Sequence, residues 1–185
     1  TFKTTMDIPD KIDLEMSNNV QGAVQKLWKD RTEQFWPSVI FSYATGTREG
    51  LDAHGAGPGL YLCAMLIQAL DAAGIDSFSG LHVLPGQHWK TTYYDRLNGP
   101  QSQAKVMIVL LTEALYMSMA CLNEISVALE RGLQLVPIRA ENDVPPSKKL
   151  QWPAHLWADK AENENDEEHQ ARVDKTLAKI DKVKK

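Results

Sequence analysis

A single carboxylate, Glu124, sits in the stretch Ser118-Met119-Ala120-Cys121-Leu122-Asn123-Glu124, between two strongly apolar runs. Placed early in a helix behind a buried strand, such a group can be a catalytic carboxylate. On a helix of 100° per residue, Cys121, Leu122, Ile125, Ala128 and Leu129 form one apolar arc, with Asn123, Ser126 and Glu130 opposite. Glu124 falls on the shoulder of that arc beside Met117, Ala120 and Ala128, a half-buried position whose small neighbours leave room for a ligand. The ordinary alternative is a solvated surface glutamate.

Other chemistries find less support. Gly55, Gly57 and Gly59 alternate without a following Lys-Ser/Thr pair, so they make neither a Walker loop nor G-x-G-x-x-G and read as a flexible loop. His54, His82 and His88 lack metal-ligand spacing. No G-x-S-x-G elbow marks a serine hydrolase. Trp89, after Gly86-Gln87-His88, either covers a pocket or belongs to the core. Cys63 and Cys121 read as buried, reduced thiols of a cytoplasmic protein, with a disulfide as the lesser alternative.

The elements that must position Glu124 follow from periodicity. Val20, Val24, Leu27 and Trp28 recur at helical spacing after a loose arm. Ser38 to Tyr43 reads as a buried strand, and Ala44 to Gly59, with five glycines and one proline, as a loop. That loop exceeds the roughly 2–6 residues typical of strand–helix connections, and long loops are often functional. A helix over Leu60 to Ala73 stops at Gly74, and a brief strand follows at Ile75 to Phe78. Ser79 to His88 is a second loop and Trp89 to Leu97 a short helix. Ala104 to Leu111 is apolar enough for a strand covered on both faces. A helix from Ser118 to Arg131, a stop at Gly132 and a strand from Leu133 to Ile138 complete the regular pattern.

This alternation implies an α/β, doubly wound parallel sheet of about five strands, a flavodoxin-like arrangement. Leu156-Trp157 is a candidate last edge strand. Residues 161–170, with five acids, read as a solvated linker, and Ala171 to Lys185 as a packed terminal helix. The organisation is therefore an arm and helix over 1–37, a core over 38–160, and a linker with C-terminal helix over 161–185. Ligands of such sheets bind beyond the strands' carboxyl ends, where the loops after Tyr43 and Phe78 meet the helix after Leu111.

Bulk properties set the limits. The 185 residues suit one domain, and 43% apolar with 24% charged content is ordinary for a globular chain. A net charge of -4, with no basic stripe, argues against a nucleic-acid partner. No apolar run approaches the roughly 20 residues that span a bilayer. The start at Thr1 reads as a fragment cut from a longer protein.

Four segments in order resemble a TIR (Toll/interleukin-1 receptor) domain. Ile40-Phe41-Ser42-Tyr43 resembles the family's first-strand F-I-S-Y, and Leu84-Pro85-Gly86 the L-x-x-G of its BB loop. Ser118 to Glu124 resembles the plant S-x-W-C-L-x-E, and Gly132 to Ile138 the following G-x-x-x-V-P-I. The family holds scaffolds and enzymes that cleave NAD+ at the nicotinamide–ribose bond. The resemblance implies that Glu124 is the catalytic glutamate, that Tyr43, Ala44, Thr45, Arg48, Trp89, Ala120 and Cys121 line the substrate site, and that NAD+ is a substrate, with no cofactor. It also implies homotypic self-association through Ser79 to His88. A glutamate in that role stabilises developing positive charge, and a helix N-terminus would help keep it ionised. Three departures stand out: Ala120 replaces the motif's tryptophan, Ala44 and Thr45 replace the arginines of animal enzymes, and Phe78-Ser79-Gly80 lacks the usual acidic residue. The competing readings are a non-catalytic TIR scaffold and a receiver-like nucleotide-binding domain, which would show acidic pairs at strand ends.

Overall fold

The computed structural model describes residues 22–24, 36–45, 57–84, 86–141 and 164–183. Strands β1 (Val39–Ser42), β2 (Ser77–Phe78), β3 (Val106–Leu111) and β4 (Gln134–Arg139) form a parallel sheet in the order β2-β1-β3-β4. The helices are α1 (Pro58–Ala72), α2 (Trp89–Asn98), α3 (Glu113–Met117), α4 (Met119–Glu130) and α5 (Asp166–Val183).

Strand alternation sends side chains to two separate cores. Ile40, Met107, Val109 and Leu111 pack with Tyr93 and Leu97 of α2 and Leu122, Ile125 and Ala128 of α4. Phe41, Ile108 and Leu110 pack with Leu62, Cys63 and Ile67 of α1, and with Val24 from a short helical segment. Helices thus cover both faces of a parallel sheet, the doubly wound arrangement the alternation demands. Four strands are seen among the described residues; the expected edge strand at Leu156-Trp157, the arm and most of the first amphipathic helix lie outside them.

Several boundaries differ from the sequence reading; β2, for one, begins at Ser77 rather than Ile75. Helix α1 begins at Pro58, two residues early, because proline's fixed φ and missing N–H suit the first helical turn. The segment before α4 is not a plain connection: Thr112 caps the short α3, accepting from Leu115 N–H at 3.1 Å. Residues 166–170 are helical rather than linker. Asn165 accepts from Glu168 N–H at 2.9 Å while Glu168 Oε2 accepts from Asn165 N–H at 3.0 Å, a reciprocal capping box. The acids Asp166, Glu167 and Glu168 crowd the first turn, where the helix dipole favours them.

No helix among the described residues is long and apolar enough to cross a membrane.

Candidate active site

Because Ile40 faces the α2/α4 core, strand alternation turns Ser42 to the same side, and α4 lies directly over it. Ser42 is fully buried, and its hydroxyl donates to Glu124 Oε2 at 2.7 Å. That length is at the short end of O–H···O bonds, the range a charge-assisted bond to a carboxylate also occupies. Glu124 itself is only 6% exposed, deeper than the half-buried shoulder its helical angle implies. Helix α4 starts at Met119, with Ser118 Oγ accepting from Cys121 N–H at 3.3 Å, so Glu124 is its sixth residue. The macrodipole acts mainly within the first turn, so the expected help from the helix N-terminus is displaced by the Ser42 hydroxyl.

The surroundings of this pair are the carboxyl ends of β1 and β3, neighbours in the sheet whose crossovers leave to opposite faces. Three backbones converge there. A Cβ on Gly59, at the start of α1, would lie 2.9 Å from the Ala44 carbonyl oxygen and 3.4 Å from Thr112 Cγ2. Only glycine allows this approach. Gly57 N–H donates to the Thr45 carbonyl at 2.8 Å, so the loop that leaves after Thr45 returns to the same point. Arg48 lies in that loop, outside the described residues.

Tyr93 ties α2 to β1: its buried hydroxyl donates to the Phe41 carbonyl at 2.8 Å. Burial, then the Glu124 charge, pushes the Tyr93 phenol well above the usual value. Tyr43, half-buried on the α1 side, is raised by burial and then by Cys63, Glu124 and Cys121. These couplings draw Tyr43, Tyr93, Cys63 and Cys121 into one electrostatic neighbourhood around Glu124. Cys63 is an inert thiol, since burial pushes its ionisation up strongly against a weaker opposing hydrogen bond with Ser79.

The remaining expected site residues spread out from this centre. Ala44 is buried, Thr45 and Ala120 are half-buried, and Cys121 is buried at the base of α4. Trp89 opens α2 and is 45% exposed, which removes the core alternative for it. At the end of β2, where the sequence lacks an acid, Ser79 is fully buried. It accepts from Leu81 N–H at 3.1 Å, and its own N–H donates to His82 Nδ1 at 3.0 Å. A neutral cap thus fills that corner and fixes the first turn of the Ser79–His88 segment, of which Pro85 lies outside the described residues.

Sequence reasoning missed Ser42 as a residue of the candidate site. Its signal was a hydroxyl on the inward face of an otherwise apolar strand, which must find a buried partner.

A search of curated proteins finds no significant match. The TIR domain family profile, by contrast, matches residues 62–176, more than half of the chain and inclusive of Glu124, although Ser42 and Tyr43 precede the matched span. With a parallel sheet of the flavodoxin-like kind beneath that match, the chain belongs to the TIR domain family.

Proposed function

We propose that this TIR domain is an NAD+ glycohydrolase with Glu124 as its catalytic residue. The observation that carries the reading is a buried carboxylate held by a 2.7 Å hydroxyl bond at the carboxyl end of β1, beside the switch point of the sheet. A buried carboxylate costs several kcal/mol when ionised unless well partnered, so its presence at the edge where ligands of such sheets bind supports a chemical role.

The reaction suits a lone carboxylate. The bond from ribose C1′ to the pyridinium nitrogen breaks, its electron pair neutralises the nitrogen, and nicotinamide leaves uncharged. Glycoside hydrolases that expel an alcohol need a second carboxyl as acid; this leaving group needs none. Glu124 holds the ribose hydroxyls and stabilises the oxocarbenium-like transition state. Water then adds to C1′, giving ADP-ribose and a proton; attack by the adenine ring instead gives a cyclic product. Tyr43, Ala44, Thr45, Arg48, Trp89, Ala120 and Cys121 are the proposed substrate contacts. With Ala120 in place of an aromatic wall, the exposed ring of Trp89 is assigned the stacking role against the nicotinamide. The proposed setting is cytoplasmic signalling in immunity or cell death, with self-association through Ser79 to His88.

A second reading, a non-catalytic scaffold, draws on the same exposed Trp89, because a large apolar side chain beside the Ser79–His88 segment suits a docking surface. Incubating concentrated protein with NAD+ separates the two. The enzyme releases nicotinamide and Glu124→Ala does not; a scaffold leaves NAD+ intact in both.

A further inference from the structure

Asn123 and Glu124 are consecutive on α4, so they point about 100° apart. Glu124 reaches inward to Ser42 of β1, whereas Asn123 Oδ1 accepts from Arg172 Nη1 of α5 at 2.8 Å. Arg172 is itself held. Its Nε donates to Glu164 Oε1 at 2.8 Å and its Nη2 to Glu164 Oε2 at 2.9 Å, a two-pronged bond that fixes the guanidinium plane. His169, 2% exposed, closes the cluster, with Nδ1 3.1 Å from Arg172 Nη2 and 3.2 Å from Glu164 Oε2. The reciprocal cap of Asn165 and Glu168 sets the start of α5 within the same turn.

We propose that Arg172 is a positioning residue for Glu124, with α5 bracing α4 through Asn123 against roll about its axis. This rests on the NAD+ glycohydrolase reading of the same site. The inner face of α4 is held by the packing of Leu122, Ile125 and Ala128, and the Ser42–Glu124 and Asn123–Arg172 bonds add directional restraint on two further faces. At a radius of about 6 Å from the helix axis, a roll of about 10° moves a carboxylate by roughly 1 Å. That is enough to stretch the Ser42 bond out of range, and a misplacement of this size can cost about a hundredfold in rate.

The test uses the whole chain, with Arg172→Ala, Asn123→Ala and Asn123→Asp. Arg172→Ala should lower kcat for nicotinamide release about tenfold with KM within about twofold, the pattern of an interaction felt in the transition state. Asn123→Ala, which spares the Arg172–Glu164 pair, should show the same split and serves where Arg172→Ala does not fold. Asn123→Asp keeps the acceptor and should retain at least about half of the original kcat. A second readout needs no turnover: the 13C carboxyl resonance of Glu124, assigned by its loss in Glu124→Gln. It should move in Arg172→Ala and Asn123→Ala toward its position in Ser42→Ala. Unaltered kcat, or a fall in kcat with an unmoved resonance, overturns the proposal. If the unmodified protein releases no nicotinamide, the NAD+ reading falls, and the resonance alone decides: a shift supports the brace and its absence overturns it.

Discussion

Ser42 and Glu124 are 82 positions apart in the chain yet share one bond, and much of the proposed chemistry depends on it. Replacing Ser42 with alanine leaves a buried carboxylate without that donor, which should destabilise the fold by about 1–3 kcal/mol. Urea unfolding measures the loss, and nicotinamide release should drop about tenfold alongside it, since the carboxylate then loses the Ser42 bond that orients it. Glu124 was legible because helical spacing put it at the edge of an apolar arc beside small residues. Its depth was not, because the angle on a helix says nothing of the strand beneath. Ser42 stood in plain view within Ile40-Phe41-Ser42-Tyr43, but strand alternation alone does not name a partner so distant in sequence. For Trp89 the sequence left pocket wall and core both open, since a ring at the mouth of a helix meets either environment.

Among the elements, the narrowest fit is that of α1 against the ends of β1 and β3. Gly59→Ala would place a Cβ 2.9 Å from the Ala44 carbonyl oxygen, a backbone atom that cannot swing aside. The expected cost is about 1–3 kcal/mol in urea unfolding, with nicotinamide release falling because Ala44 and Thr45 shift. Tyr93→Phe tests the tie between α2 and β1: losing the 2.8 Å bond to the Phe41 carbonyl should cost about 1 kcal/mol. Gly132 closes α4 with φ +72°, so the sequence stop signal and the observed helix end agree for the reason that only glycine adopts this region without strain. Strand and helix positions were legible because β3 is an unbroken apolar run and α4 has a clean helical period. The start of α5 was not, since five acids in ten residues look solvated until Asn165 and Glu168 are seen to cap one another.

For the whole molecule, the parallel sheet and two-sided cover were readable from the alternation of elements, and the order β2-β1-β3-β4 puts the proposed ligand edge between β1 and β3. Three weak acids near that edge set the alkaline limit of stability. Tyr43, Tyr93 and Cys63 are all raised by burial first, from ordinary values of 10.0, 10.0 and 9.0. The unfolded chain releases these protons at their ordinary values while the folded chain keeps them. Stability should therefore be intact below about pH 9 and decline as pH rises beyond 9 to 10. Urea midpoints at pH 8 and pH 10.5 check this, and a midpoint that does not fall at the higher pH would contradict it. The central claim meets its most direct test in nicotinamide release from NAD+ by concentrated protein, with Glu124→Gln beside it. The account predicts release by the unmodified chain and a drop of at least about a hundredfold in Glu124→Gln. Equal release by both, or none by the unmodified chain even under crowding that drives self-association, would contradict it.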